Sequence, residues 1–195
     1  MLLPTFVETY LPYAQRAVAG TKISPYTVLA AAALESGSGA HAPGYNFFGI
    51  KAGSNWKGET QRLLTTEEIN GKLVKVMQTF RKYSSPEGSF RDYVKVVTGA
   101  RYVAAGVTGT TDPYEQIRRI HAAGYATDSH YTAKVTDLLK QMGAQGSVLA
   151  SIIPLGLLPF SGSPWLLATA AAALGIGLYL KNKKKWRVKT TLPKI

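Results

Sequence analysis

Seven uncharged aliphatic residues, Val28-Leu-Ala-Ala-Ala-Ala-Leu34, run directly into an acid, Glu35, and then into the glycine-rich Ser36-Gly-Ser-Gly39. A helix that is apolar on every side has no face to offer solvent, so this segment must be the buried central helix of its domain. Its start is signalled by Ser24, whose hydroxyl can accept from free backbone N–H groups, and by Pro25 in the first turn, where a missing donor is harmless. The other elements have to be arranged around it.

Residues 4–19 carry Phe6, Val7, Tyr10, Leu11, Ala14 and Val18 near the spacing of one helical face, which predicts a first helix. Gln61–Thr66 and Leu73–Phe80 flank Asn70-Gly71, a dipeptide suited to the positive backbone angles of tight hairpin turns, and predict a small β-hairpin. Ser85-Pro86-Glu87 and Asp112-Pro113 each open a further helix, and Asp128 opens the last, through Val135, Leu138 and Leu139. The expected fold class is α+β, mainly helical. No repeat of fixed period is present, so the chain is not read as a solenoid or a tandem array.

The C-terminal quarter has a different character. No charge occurs between Lys140 and Lys181, whereas residues 181–195 hold seven of the 23 lysines and arginines and none of the 11 acids. A basic tail could serve nucleic acid, anionic lipid or an anionic wall polymer, because a positive field attracts all three. Its position beside an apolar segment favours a juxtamembrane anchor and no specific nucleic acid. The expected layout is a domain over 1–142, a linker and apolar membrane segment over 143–180 with its span about 161–180, and a basic juxtamembrane tail over 181–195. Trp165–Leu180 would rise about 24 Å as a helix, against a hydrocarbon core of about 30 Å. The span therefore needs the residues around Pro164, or else Val148–Phe160 and Trp165–Leu180 form a hairpin. Residues 1–10 lack a basic stretch and are interrupted by Glu8, so no cleavable secretory signal is expected. A basic tail on the cytoplasmic side with no export signal points to a membrane-containing phage virion, with phage capsid or membrane proteins as partners, or to a bacterial cell envelope.

With no cysteine, a thiolate nucleophile, a thiolate metal site and a disulfide framework are excluded. His41, His121 and His130 lack metal-ligand spacing, and there is no phosphate-binding or dinucleotide fingerprint, so neither a metal nor a cofactor is expected. Glu35 carries the chemistry. At the end of a buried helix its carboxyl is desolvated on one side, which raises its pKa and lets it keep a proton to donate near neutral pH. The plainer reading is a glutamate that simply exits to solvent, and helix pattern alone does not separate the two.

Ala32-Ala-Leu-Glu-Ser-Gly-Ser-Gly39, Tyr45-Asn-Phe-Phe-Gly-Ile-Lys51 and Asn55-Trp-Lys-Gly58 resemble, in order, the signatures of glycoside hydrolase family 73. The resemblance continues through Thr65-Thr-Glu67, Phe80-Arg-Lys-Tyr-Ser84, Asp92-Tyr93, Arg101-Tyr102 and Ala123–Tyr131, and extends to the glucosaminidase domains of flagellar peptidoglycan hydrolases. It covers about residues 4–140. It implies a lysozyme-like fold and hydrolysis of the β-1,4 bond following N-acetylglucosamine in peptidoglycan glycan strands. It further implies Glu35 as general acid, Glu67 as second carboxylate on the hairpin, and Tyr125 as an active-site phenol that orients the acetamido group or water. Asn46, Phe48 and Trp56 are the expected saccharide contacts, and Phe47 is expected in the core. Ser38 departs from the family, which often has an aromatic there, so one cleft wall differs.

Adjacent strand residues face opposite sides, so only one of Glu67 and Glu68 can look into the cleft, and the motif register selects Glu67. Carboxylates about 6.5–9.5 Å apart suit inversion and about 5–5.5 Å suit a covalent intermediate, while attack by the substrate's own acetamido group is a third route. Two other functions fit the same residues: a muramidase or lytic transglycosylase cutting the other glycosidic bond, and a wall-binding module with a decayed site.

Overall fold

The computed structural model describes the backbone of residues 1–69 and 72–152 and the side chains of residues 1–67 and 72–143. Helices α1 (Leu3–Val18) and α2 (Pro25–Ser36) are followed by a 3-10 turn at Pro43–Tyr45 and by strands β1 (Thr60–Ile69) and β2 (Lys72–Arg81). Then come α3 (Pro86–Val97), the one-turn α4 (Ala100–Ala104), a 3-10 turn at Val107–Gly109, α5 (Pro113–Ala122) and α6 (Tyr131–Ile152). The result is a helix-rich α+β domain with one two-stranded antiparallel sheet.

The aliphatic run lies where its composition requires. Val28, Leu29 and Ala30–Ala33 are buried, and α2 is flanked by α1, α3 and α5. The Ser24 hydroxyl accepts from the Tyr26 N–H at 3.3 Å, and the left-handed Gly37 ends the helix with its N–H on the Ala33 carbonyl. Around α2 the core is aromatic. Phe6, Tyr10, Phe47 and Phe90 pack together with centroids 4.9 to 6.3 Å apart.

Gln116 on α5 is fully buried and fully satisfied. Its Oε1 accepts from the Thr27 hydroxyl at 2.7 Å and the Ser24 N–H at 3.0 Å, and its Nε2 donates to the carbonyls of Lys22 and Thr110. A buried amide left unpaired would cost about 1–3 kcal/mol. Here it ties the start of α2 to α5 instead.

The strands pair from Thr60↔Arg81 to Ile69↔Lys72, which leaves Asn70-Gly71 between them in the chain. Neither strand packs along a helix. The hairpin is anchored at its root: residues 50–52 run beside β2, with the Arg81 N–H on the Ile50 carbonyl, the Ala52 N–H on the Thr79 carbonyl, and a bridge between Lys51 and Phe80. Gln61, Leu63, Thr65 and Glu67 are half-buried, while the intervening Arg62, Leu64 and Thr66 are exposed, so the ribbon has a sheltered and an open face.

The backbone of α6 continues past residue 142 to Ile152, and no proline occurs between Pro113 and Pro154 to stop it earlier. The proposed span 161–180, the basic tail 181–195, the Asn70-Gly71 turn and the direction of the Glu68 side chain lie outside the described residues. Among the described residues no helix is long and apolar enough to cross a membrane.

Candidate active site

Glu35 sits one residue before the end of α2, half-buried. Among the described residues none donates a hydrogen bond to its carboxyl. Burial raises its pKa from 4.5 to about 7, against a smaller opposing pull from Lys134. Lys134 is itself engaged, 2.5 Å from the Asp128 carboxylate. The acid is therefore governed by desolvation, and at neutral pH it holds its proton about half the time.

Three tyrosines feel its charge. Burial raises the phenols of Tyr93, Tyr125 and Tyr131 first; the Glu35 charge comes next for Tyr93 and follows the neighbouring tyrosines for Tyr125 and Tyr131. Tyr125 meets Tyr93 edge-on at 5.5 Å and Tyr131 at 5.7 Å. Its place is set by the end of α5, where Gly124 at φ +82° lets the Gly124 N–H reach the His121 carbonyl and the Tyr125 N–H reach that of Ile120, turning the chain back toward the core. The hydroxyls of Tyr93 and Tyr131 are buried and face each other without meeting hydrogen-bond geometry. Tyr93 and Tyr131 lie within the motifs that resemble the family, and the resemblance gives them no role. Nothing in the local pattern distinguishes a tyrosine beside the acid from one in the core.

Glu67 lies on the sheltered face of β1, and its Oε1 is 2.7 Å from the Lys51 ammonium. Of the two carboxylates singled out from sequence, one stands without a partner and the other is ion-paired.

Two of the expected saccharide contacts are buried in this structure. Asn46 is buried and its amide is consumed by the backbone: Nδ2 donates to the carbonyls of Ile50 and Arg81, both at 2.9 Å, and Oδ1 accepts from the Ile50 N–H at 2.9 Å. It staples the 46–50 turn to the end of β2, with both amide hydrogens used by backbone carbonyls. Phe48 is 1% exposed and stacks on Tyr93 at 4.2 Å with an interplanar angle of 7°, so no ring face is open. Phe47 is in the core.

Trp56 is half-buried and held from several sides. Its indole N–H donates to the Glu59 carbonyl at 2.9 Å, the Arg81 guanidinium covers one ring face at 4.6 Å, and Tyr83 meets it at 5.6 Å. The ring face under Arg81 is closed to a sugar. Gly58 lies against the indole, since a Cβ there would fall 2.4 Å from it. Arg81 donates to the Asp92 carboxylate at 2.6 Å, and the Tyr83 hydroxyl donates to the same oxygen. This network fastens the hairpin root to α3. Its partners lie 9 to 11 residues apart in β2, the loop after it and α3, and no periodicity announces it.

Comparison with known proteins places this geometry. Residues 11–144 match the family model described as mannosyl-glycoprotein endo-beta-N-acetylglucosaminidase. The chain is 38% identical over 156 residues to the peptidoglycan hydrolase FlgJ of Pseudomonas aeruginosa, covering 76% of this chain and 39% of that protein. It is 41% identical over 137 residues to FlgJ of Escherichia coli K12, covering 66% and 43%. The chain thus spans about two fifths of the length of these curated relatives. The solved glycoside hydrolase domain of Salmonella typhimurium FlgJ superposes with a TM-score of 0.66 at 32% identity, covering 78% of this chain and 95% of that domain. The lysozyme-like arrangement of helices with a small hairpin is shared, and the chain belongs to the glucosaminidase family of glycoside hydrolases, family 73.

Proposed function

We propose that the protein hydrolyses peptidoglycan at the β-1,4 bond that follows N-acetylglucosamine, with Glu35 as general acid. The observation that carries this reading is the Glu35 carboxyl itself: half-buried, unpaired, with a pKa near 7, at the end of a helix that cannot move without disturbing the core. Such a group gives its proton to the departing glycosidic oxygen as the C1–O4 bond breaks. Glu67 stabilises the positive charge that develops at the sugar ring or takes a proton from the attacking water, and Tyr125 orients water or the acetamido group. The names of the FlgJ relatives support the substrate.

Mass spectrometry of fragments released from purified sacculi tests the bond. Reducing-end N-acetylglucosamine is expected. Reducing or anhydro-muramic ends would assign the chain to muramidase or lytic transglycosylase chemistry, and sacculus binding without cleavage would make it a wall-binding module. Residues 161–180 tether the enzyme to a lipid bilayer, supported by the charge-free stretch and the cationic tail that follows it. Full-length protein should stay in the membrane pellet after alkaline carbonate washing, and release by that wash would remove the tether.

A further inference from the structure

The two ends of one ion pair are far apart along the hairpin. Lys51 bridges to Phe80, and Phe80 in turn pairs with Gln61, so Lys51 stands at the hairpin root. Glu67 is six residues further along β1. A straight strand would carry it about 20 Å away, more than a stretched lysine and a stretched glutamate can cover together. Yet Nζ and Oε1 are 2.7 Å apart. The ribbon must therefore curl, bringing its outer half back over its root, as two-stranded ribbons with strong twist can do.

The root end of this tie is immobilised. The backbone of residues 50–52 is hydrogen-bonded to β2, the Arg81 Nε donates to the Lys51 carbonyl at 3.3 Å, Arg81 is clamped to Asp92, and Asn46 holds Ile50 on both backbone groups. The other end is attached by little else. Among the described residues, Lys51–Glu67 is the only side-chain hydrogen bond made by residues 62–79, and Leu64, Leu73 and Met77 are 60%, 66% and 49% exposed. An ion pair this accessible adds little to stability. Its effect is on where the carboxylate stands.

We propose that Lys51 is the positioning residue of the hairpin carboxylate: its ammonium, fixed at the hairpin root, sets the curl of the ribbon and thereby the place of Glu67. This rests on the reading of Glu67 as the second carboxylate. The lysine touches no reacting atom. It acts through Glu67, and a guanidinium of similar reach can replace it.

The test combines a mutant cycle with a distance measurement on the full-length chain in detergent. Turnover of solubilised peptidoglycan is compared for wild type, Lys51→Met, Lys51→Arg, Glu67→Gln and Lys51→Met/Glu67→Gln. Misplacing a catalytic group by an ångström or so can cost about a hundredfold. Lys51→Met should therefore lower kcat roughly ten- to a hundredfold with little change in KM, Lys51→Arg should recover most of it, and Lys51→Met should add almost nothing once Glu67 is glutamine. Because the native chain has no cysteine, spin labels on cysteines replacing the exposed Lys75 and Lys95 report hairpin against α3. Lys51→Met should lengthen and broaden that distance, and Lys51→Arg should not.

Impaired Glu67→Gln with normal Lys51→Met, or an unchanged distance distribution, overturns the role of Lys51 and leaves Glu67 standing. An equal loss from Lys51→Met in both backgrounds also overturns it, because the lysine would then act on substrate directly. Wild-type turnover by Glu67→Gln removes the second-carboxylate reading and this inference with it.

Discussion

Glu35 and Glu67 carry the same functional group into opposite surroundings. The first sits at the end of a buried aliphatic helix, where desolvation outweighs the pull of Lys134 and its pKa climbs to about 7. The second stands on a ribbon that packs along no helix, within reach of water and of an ammonium. One is controlled by what is absent around it and the other by a single contact. A buried acid needs a rigid support, because its pKa depends on every neighbour that keeps water out. A paired carboxylate needs only its partner, and it can ride on an element with few other attachments.

The sharpest way to break this contrast is Glu35→Gln, which deletes the donatable proton with almost no change of shape. Turnover should fall by about two to four orders of magnitude, with the fold intact by circular dichroism. Retained turnover would show that the dry carboxyl is not the acid. Phe48→Ala attacks the support instead. Emptying a buried phenylalanine site costs about 3–5 kcal/mol, so denaturant unfolding should shift strongly. A normal midpoint together with a raised KM would instead make Phe48 a sugar contact.

On the hairpin side, Glu67→Gln should cost roughly ten- to a hundredfold in kcat, within the range of a single general acid–base or electrostatic contribution, with little effect on stability. Glu68→Gln should cost less. The reverse ranking would mean that the wrong face of β1 has been assigned to the substrate.

A last effect is on stability and depends on pH. Below about pH 4.5 the Glu35 carboxyl is protonated in both folded and unfolded chains and burial carries no penalty. Between about 4.5 and 7 the unfolded chain releases its proton while the folded chain keeps it, and above about 7 both are ionised with the folded form bearing the full desolvation. Stability contributed by this group is thus present at low pH and lost as pH rises through about 7. Glu35→Gln should match wild type at pH 4 and exceed it at pH 8 by at most about 3 kcal/mol. Equal stability at both pH values would mean that the carboxyl is better solvated than its position indicates.

What could be read beforehand was local. Ser24, Ser85 and Asp112 cap the helices assigned to them, because a cap and its free N–H groups lie within three residues of each other. The hairpin was equally legible from Asn70-Gly71 between two strand-like runs. The one-turn α4 and the two 3-10 turns were not, since a single turn leaves no periodicity to detect. Gln116 joins residues 89 to 94 positions away, and no pattern in one sequence links it to Thr27 or Lys22. The burial of two site residues has the same origin. The motif Tyr45–Lys51 does not say which of its side chains turn inward, and the left-handed Gly49 accompanies a tight bend in which Asn46 and Phe48 are both buried. Nothing local marks Lys51, in that same motif, because its partner lies 16 residues away.

The close seat of Trp56 over Gly58 limits how this sequence can vary. Any side chain at position 58 would collide with the indole. Moving the indole would uncover Arg81, and through Arg81 loosen both Asp92 and the carbonyl of Lys51. A change of one methyl group at an exposed loop residue would therefore be felt at the root of the hairpin, and a library randomised at position 58 and selected for activity should return glycine alone. Tolerance to mutation in this domain follows connectivity: an open position can be as intolerant as the alanines of α2.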